Sequence, residues 1–348
     1  MKAITVIPGK SLHAQVVDVD EPDTSTHSLL VAGHVLGVCG TDTEIVSGLH
    51  GAAPPGRDRL ILGHESLGEV LDAPAGSGFS PGDRVVGIVR RPDPEPCESC
   101  ASGEWDFCRN GRYTEHGIKE LDGFGCQLWR IEPDHAVSVP AELGDLGVLT
   151  EPTSVAAKAW EQIEHMSARA SYTPGTVLVT GAGPIGLLAA LIGVQRGYEV
   201  HVLDRVESGP KPAVVEQLGA TYHSTDVGDL TIRPDIVIDT TAAAEVVMTL
   251  PLLVAENGVI CLTGFPLTQS NVSMNLDEVS REMVLNNVVM FGSVNANRRH
   301  FGQAVDTLSR AEPAWLQRLI TRTVNMDHFD EALHKEDHDI KTIVDLRW

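Results

Sequence analysis

The sequence predicts an α/β protein with two domains, a β-rich domain followed by a doubly wound parallel sheet. Three observations support this fold class. The chain of 348 residues is long for a single hydrophobic core. Its first third is rich in Gly, Pro and Asp and contains only short apolar runs. From about residue 154 onward, apolar strands alternate with helical segments.

The first third has the pattern of short strands joined by turns. The opening residues "MKAITVIPGK" alternate in polarity and then turn, which is typical of a first strand. The later runs "SLLVAGHVLGV", "GEVLDA" and "DRVVGIVR" are apolar and lie between turn-forming residues. These features predict an irregular β domain.

The apolar spacing changes after residue 154. "SVAAKAWEQIEH" has helical spacing and precedes the strand "TVLVTG", a helix that begins near Pro184, the strand "YEVHVLD" and a helix through "PAVVEQLG". The alternation continues with "DIVIDT", a helix in "AEVVMTLPLLVAEN", "GVICLTG" and "NVVMFGSV", and helical stretches then lead to a final strand "KTIVDL". Strands separated by helices pair in parallel, so this region predicts a doubly wound sheet.

The acidic charge of the chain restricts its partners. A formal net charge of −22 argues against nucleic acid and anionic membrane surfaces. The apolar run "VLVTGAGPIGLLAALIGV" is interrupted by Gly and Pro, so it predicts a strand and a helix and no membrane span. The N-terminus lacks a signal-peptide pattern, and we expect a soluble cytoplasmic protein. In that compartment, closely spaced cysteines are more often metal ligands than disulfides.

A glycine-rich turn follows the strand "TVLVTG". Gly181, Gly183 and Gly186 have G-x-G-x-x-G spacing directly before a helix, and Pro184 and Ile185 lie between the last two glycines. The first glycine permits a tight turn, the second lets the backbone approach a pyrophosphate, and the third lets helix and strand pack closely. Because the helix N-terminus then faces the phosphates, the pattern predicts a dinucleotide site; a structural turn in another α/β protein is less favoured.

Asp204 ends the next strand, eighteen residues after Gly186. A carboxylate at that position would accept hydrogen bonds from the adenosine ribose, and its charge would repel a 2′-phosphate, so it favours NAD. Arg205 could lie against a 2′-phosphate and admit NADP as well, or be a solvated loop residue. We favour the second interpretation.

Three short segments carry side chains that bind metals. "GVCGTDTE", "LGHESLG" and "LTEPTS" supply Cys39 with Thr41 and Asp42, His64 with Glu65, and Glu151. A thiolate, an imidazole and one or two carboxylates suit Zn²⁺ and leave a position for water or substrate, as catalytic zinc requires. Taken singly, Cys39 is more often a small buried hydrophobe and His64 a hydrogen-bonded loop residue.

The order of these motifs resembles the zinc-dependent medium-chain dehydrogenase/reductase superfamily. "CGTD", "GHE", "PGDRV", a cysteine lobe, "EP" before a helix and "GAGPIG" follow that family's order over essentially the whole chain. "RYTEHGI", "DGFGCQLW", "LTEPTSVAAKAW" and "GSVNANRRHF" are similar to segments of the glucose 1-dehydrogenase group. The resemblance implies a GroES-like catalytic domain of residues 1–153 and 295–348, with a zinc lobe near 93–108, and a Rossmann dinucleotide-binding domain of residues 154–294.

The lobe departs from the family pattern at one ligand. Aligning "PCESCASGEWDFC" with the family's four lobe cysteines fills three positions and leaves Pro94, which has no donor atom, at the first. The resemblance implies a structural zinc held by Asp93, Cys97, Cys100 and Cys108. Glu95 is the less favoured fourth ligand. The alternative is a lobe that has lost its metal.

Two further cysteines and two histidines fall outside these sites. Cys126 and Cys261 match no ligand position and are predicted to be packing residues. His334 and His338 lie four residues apart in "HKEDHD", and a solvated surface is favoured over a metal site.

The resemblance also implies catalytic roles. Thr41 corresponds to the family's hydroxyl that bonds the reacting oxygen and passes its proton outward; its alternative is a turn threonine next to a helix cap. Glu65 and Glu151 correspond to metal ligands, and whether they bind together or in turn stays open; Glu151 also corresponds to a residue that can approach the sugar. Zinc would acidify a substrate hydroxyl, and the cofactor would accept hydride.

Substrate contacts are implied in the same way. Glu115 corresponds to a sugar-binding carboxylate, and Asn295 to an amide near both nicotinamide and sugar; a surface salt bridge and a turn residue are their alternatives. Val155 stands where some relatives carry a sugar-binding Asp, so the resemblance does not settle which hydroxyls are recognised.

The favoured function is oxidation of an aldose, D-glucose to gluconolactone, with two zinc ions per chain and NAD, or also NADP. The alternatives are a polyol, threonine or simple alcohol dehydrogenase on the same scaffold and, less favoured, a zinc-free quinone reductase or a nucleotide-binding sensor. The resemblance further implies a homo-oligomer, a tetramer or a dimer.

Overall fold

The computed structural model describes residues 1–10, 14–23, 27–266, 271–334, 336 and 338–347. The chain forms two compact units, one of Met1–Ser154 with Asn295–Trp348 and the other of Val155–Val294. Within these described ranges, no helix is both long and apolar enough to cross a bilayer.

Short strands dominate residues 1–149. In chain order the elements are β1 (Lys2–Val6), β2 (Gln15–Asp18), β3 (Leu29–Gly37), α1 (Gly40–Val46), β4 (Leu60–Ile61), β5 (Glu65–Asp72), β6 (Arg84–Gly87), β7 (Arg90–Arg91), α2 (Glu98–Ala101), β8 (Thr114–His116), β9 (Glu120–Leu121), β10 (Leu128–Ile131) and β11 (Ala136–Val139). Short 3₁₀ helices cover Trp105–Phe107, Pro133–His135 and Ala141–Leu149.

Helices and strands alternate from residue 150 onward. They are α3 (Thr150–Ser167), β12 (Thr176–Thr180), α4 (Pro184–Gln195), β13 (Glu199–Leu203), α5 (Pro210–Gln217), β14 (Thr221–His223), β15 (Ile236–Asp239), α6 (Ala244–Leu253), β16 (Val259–Leu262), α7 (Leu276–Leu285), β17 (Val289–Gly292), α8 (Arg298–Arg310), α9 (Pro313–Leu319), β18 (Ile320–Asn325), α10 (Phe329–Leu333) and β19 (Lys341–Asp345).

The main sheet of the first unit is built around β3. Its strand order is β11-β6-β5-β3-β19-β18, with β10 also paired to β3. In the antiparallel pairs, Glu65 of β5 and Ile343 of β19 both lie opposite Gly37 at the end of β3. The buried faces of the strands fix this register. The last residues of β3 and the first residues of β5 and β19 therefore lie side by side at the same end of the sheet.

The second unit contains a six-stranded sheet in the order β14-β13-β12-β15-β16-β17, with every neighbouring pair parallel. Its strands bury apolar residues on both faces, as parallel sheets do. The α/β fold class predicted from the alternation is therefore confirmed. The strand order reverses at β12, whose carboxyl end carries the glycine-rich turn, and ligands of doubly wound sheets bind at such a reversal.

Candidate active site

The loop between β3 and α1 carries the predicted thiolate and hydroxyl. Cys39 precedes the first residue of α1, and its backbone N–H donates to the Asp42 carboxylate at 2.9 Å. This hydrogen bond closes the first helical turn and holds the buried Asp42 in place. The Thr41 hydroxyl oxygen lies 3.9 Å from Cys39 Sγ. A local turn thus places the thiol and the hydroxyl side by side.

His64 and Glu65 approach Cys39 because β5 pairs with β3. Glu65 lies opposite Gly37, where a Cβ would overlap the Glu65 carboxylate, so the glycine leaves room for it. One donor atom from each of Cys39, His64 and Glu65 lies within 4.8 Å of the other two. Asp42 Oδ1 is 3.6 Å from His64 Nδ1, and both of these atoms are buried.

A buried lysine that the sequence pattern did not single out contacts the same cluster. Lys341 begins β19, pairs with Glu65 and donates to the carbonyl oxygen of Val38 at 2.9 Å. Burial lowers the pKa of Lys341, but the charges of Glu65 and Cys39 outweigh burial and hold that pKa above its ordinary value. Its ammonium is therefore a fixed positive charge at the cluster.

Glu151 stands beside this cluster and outside the 4.8 Å group that the described residues form. It lies in the first turn of α3, where burial raises the pKa of its carboxyl to about 7. His64 and Lys341 lower that pKa and Glu65 raises it, which places Glu151 within electrostatic reach of the cluster. Of the two glutamates, the geometry brings Glu65 into the donor set.

The lobe brings its three cysteines together. Donor atoms of Cys97, Cys100 and Cys108 lie within 4.8 Å of one another. Backbone N–H groups of Arg109 and Cys100 lower the pKa of Cys97 to about 6, which favours the thiolate form that metals bind. The donor set therefore suits a thiolate-rich zinc site.

The fourth lobe ligand stays a prediction. Among the described residues, the cysteine group contains no carboxylate. Asp93 accepts hydrogen bonds from the Glu95 N–H at 2.9 Å and from Arg112 Nε at 3.3 Å. Glu95 forms an exposed pair with Arg112 at 2.9 Å. Both candidate carboxylates are therefore engaged by one guanidinium.

The two predicted sugar ligands are in contact. Asn295 Nδ2 donates to Glu115 Oε1 at 3.0 Å, and Asn295 has a left-handed backbone with φ of 62°. Arg90, on the neighbouring strand β7, donates to the same oxygen at 3.0 Å. Gly117, in the turn after β8, lies against Gly63, the residue before His64. A Cβ at Gly117 would be 2.5 Å from the Gly63 carbonyl oxygen.

The glycine-rich turn has the shape that a pyrophosphate requires. Gly181 has a φ of 97°, and a Cβ on Gly186 would overlap the Gly181 carbonyl oxygen. A Cβ on Gly183 would meet nothing within 4 Å, so its backbone borders open space. Pro184 and Ile185 form the first turn of α4, whose N-terminus points its N–H groups toward that space.

Asp204 is paired with neighbouring donors that reduce its effect on the choice of cofactor. Its Oδ2 accepts the Ala182 N–H at 2.7 Å and pairs with the buried Lys211 at 3.0 Å. Burial raises the pKa of Asp204, and these two donors lower it further than burial raises it. Arg205 is exposed. Because Lys211 offsets the charge of Asp204, repulsion of a 2′-phosphate is weaker than the sequence alone indicates.

The remaining candidates lie where sequence reasoning placed them. Cys126 and Cys261 are buried, and His334 and His338 are exposed. The charged residues that sequence reasoning missed are Lys341, Arg90 and Lys211. Lys341 opens a strand and Arg90 lies in a strand of two residues, so no periodic pattern marked either position as buried.

Two family profiles match the chain. The profile described as "Glucose dehydrogenase C-terminus" matches residues 144–346, and the profile described as "Alcohol dehydrogenase GroES-like domain" matches residues 25–141. A glucose 1-dehydrogenase of Methanocella arvoryzae is 36% identical over 357 residues, and a glucose 1-dehydrogenase 2 of Vulcanisaeta moutnovskia is 38% identical over 352 residues. In both cases 99% of each chain is covered.

A solved structure extends the comparison. The glucose dehydrogenase of Haloferax mediterranei in complex with NADP, Zn and gluconolactone matches with a TM-score of 0.91 and 31% identity, covering 99% of each chain. The class is a zinc-dependent medium-chain dehydrogenase, defined by a GroES-like unit, a parallel nucleotide-binding sheet and a cluster of thiol, imidazole and carboxyl groups. The matching profile and the full-length relatives narrow this class further. The chain belongs to the glucose dehydrogenase family.

Proposed function

We propose that this protein oxidises D-glucose at C1 to gluconolactone and reduces NAD or NADP. The observation that carries the proposal is the group of Cys39 with the buried His64 and Glu65, beside the Thr41 hydroxyl. The relatives named glucose 1-dehydrogenase and the Haloferax complex with NADP, Zn and gluconolactone support the choice of sugar, metal and cofactor.

The chain's own residues perform defined tasks around the metal. Cys39 and His64, with Glu65 or Glu151, would hold a zinc ion, which when bound supplies a Lewis acid that acidifies the sugar hydroxyl. Asp42, whose Oδ1 lies 3.6 Å from His64 Nδ1, would help to orient His64. The Thr41 hydroxyl would bond the reacting oxygen and pass its proton outward. Where Glu65 completes the donor set, Glu151 is left as a buried carboxyl that could accept or return a proton.

Sugar recognition is proposed for Glu115 and Asn295. A sugar needs several hydrogen-bond partners, whereas a simple alcohol pocket needs few, so polar groups near the metal decide the substrate class. The Glu115 carboxylate accepts hydrogen bonds from hydroxyls, and the Asn295 side chain can both donate and accept.

The nicotinamide cofactor is proposed to bind the turn of Gly181, Gly183 and Gly186 with Pro184 and Ile185. Bound there, it accepts the hydride released from the sugar. Asp204 would face the adenosine ribose, and its pairing with Lys211 supports use of NADP besides NAD.

Three finer proposals complete this assignment. The lobe would hold the second zinc. The second unit exposes the apolar residues Phe265, Leu276, Val284 and Leu285, which supports a homo-oligomer, a tetramer or a dimer. All six cysteines are free, which supports a reducing, cytoplasmic location.

A kinetic panel tests the proposal. Initial rates with glucose, galactose, xylose, sorbitol, threonine and ethanol, each with NAD and with NADP, should give the highest kcat/KM for an aldose. Preference for sorbitol, threonine or ethanol would assign a different substrate on the same scaffold. If Cys39→Ser left turnover and bound zinc unchanged, a zinc-free reductase or a nucleotide sensor would replace the dehydrogenase.

A further inference from the structure

Arg90 is a buried arginine on β7, next to the proposed sugar ligand Glu115. Its Nε and Nη2 atoms lie 3.0 and 2.9 Å from Glu115 Oε1. Its Nη1 donates to the carbonyl oxygen of Asp106 at 3.2 Å, and its guanidinium lies 3.7 Å from the centre of the Tyr113 ring. A guanidinium held on an edge and a face by different partners has one orientation.

The two oxygens of Glu115 have different surroundings. Oε1 accepts from Arg90 on one side and from Asn295 Nδ2 on the other. In the part of the chain that the structure describes, no protein donor contacts Oε2. The carboxylate is thus fixed through one oxygen and presents the other in a single direction, as an oriented acceptor for a hydroxyl requires.

The partner that anchors Arg90 belongs to the cysteine lobe. Asp106 is 4% exposed, lies in the 3₁₀ helix just before Cys108, and accepts from Asn297 Nδ2 at 2.8 Å through Oδ1. Asp106 therefore joins Arg90 through its backbone and Asn297 through its side chain. Asn297 follows Asn295 by two residues, so both proposed sugar ligands connect to the lobe.

We propose that Arg90 is a positioning residue for sugar recognition, which holds Glu115 so that Oε2 faces a sugar hydroxyl. The proposal rests on the proposed function of sugar oxidation. The guanidinium is needed for its shape as well as for its charge, because it reaches Glu115 and the Asp106 carbonyl at once. A lysine ammonium would keep the charge and lose the fork.

Steady-state kinetics of Arg90→Met and Arg90→Lys test the proposal. We expect Arg90→Met to raise the KM for glucose by about 10- to 100-fold, as expected when about one or two hydrogen bonds of substrate binding are lost. The KM for the nicotinamide cofactor should stay within about twofold of the wild-type value. The KM of Arg90→Lys for glucose should lie between those of the wild type and of Arg90→Met. Arg91→Met is the matched control, because Arg91 donates to the Ile88 carbonyl oxygen and to Glu132 and not to Glu115. The KM of Arg91→Met for glucose should equal the wild-type value.

A double-variant cycle separates positioning from folding. If Arg90 acts through Glu115, then in a Glu115→Gln background Arg90→Met should change the KM for glucose by less than about threefold. An equal effect in both backgrounds, or an equal rise in the KM values for sugar and cofactor, would overturn the positioning role. If circular dichroism and gel filtration find Arg90→Met unfolded, Arg90→Lys takes its place in the same cycle. Wild-type protein that oxidises no aldose would instead remove the proposed function and this inference together.

Discussion

Replacing Lys341 by methionine tests whether Glu65, the buried carboxylate that pairs with Lys341, also contacts the metal. Lys341 is 2% exposed and pairs with Glu65, which is 1% exposed. Methionine replaces much of the lysine stem but leaves the Glu65 carboxylate without its ammonium. Removing one partner of a buried ion pair costs about 3–5 kcal/mol, so the free energy of unfolding of metal-free protein should fall by about that amount.

The same substitution should cost much less when zinc is bound. A divalent ion held by Cys39, His64 and Glu65 would supply the positive charge that Lys341 no longer provides. Zinc would also bind the variant more tightly, because Glu65 is no longer shared, and a ligand that binds only the native state stabilises it according to its affinity. Urea unfolding followed by circular dichroism, with a chelator or with excess zinc, measures both losses.

Lys211→Met supplies the matched control. Lys211 is also a buried lysine paired with a carboxylate, Asp204 at 3.0 Å, but it lies in the nucleotide-binding unit. Its loss of unfolding free energy should be the same with and without zinc. The reasoning would be refuted if Lys341→Met also lost the same unfolding free energy with and without zinc. Glu65 would then not contact the metal, and Glu151 would be the remaining carboxylate ligand.

Three further predictions follow from the site and its surroundings. Cys39→Ser should lower kcat at least about a hundredfold and remove one zinc per chain, whereas Cys97→Ser should remove the other zinc and lower the thermal midpoint; elemental analysis and calorimetry check both. Lys211→Met should lower the ratio of kcat/KM for NADP to that for NAD by about tenfold, because Asp204 would then meet the 2′-phosphate with its charge unopposed. Burial and the charge of Arg91 lower the pKa of His135 from 6.5 to about 4, so unfolded protein binds a proton between those values and folded protein does not. Stability is therefore lost as pH falls below 6.5, and His135→Gln should lose less unfolding free energy than wild type between about pH 7 and about pH 5.

The parallel sheet could be predicted because most of its strands are apolar runs between turn residues. One strand and one helix of this unit were not predicted. The strand β14 has three residues, too few to establish a period of two. The helix α7 buries Val279 and packs Met283 against the core, but it exposes Leu276, Val284 and Leu285, so its apolar residues extend beyond the buried face.

The chemistry of the candidate site could be predicted, and its geometry could not. Residue types alone indicate that Cys39, His64 and a glutamate suit zinc. Their meeting depends on the register of β3 with β5, which opposes Gly37 and Glu65 and is a nonlocal property. Lys341 arrives from the far end of the sequence through β19, where a lysine opening an apolar strand is ordinarily a solvated residue.

The candidate active site buries several ionisable groups close together. Asp42, Glu65 and Glu151 are buried carboxyl groups around the Cys39 thiol, and within the described residues Lys341 is the one lysine paired with them. Buried charges are costly unless they are paired or bind a metal. Burial is the largest cause that raises the pKa of Glu151 to about 7; His64 and Lys341 lower that pKa, and Glu65 raises it. Burial therefore opposes ionisation of Glu151, and a divalent ion held by Cys39, His64 and a glutamate would offset that cost, which agrees with the metal that the donor spacing favours.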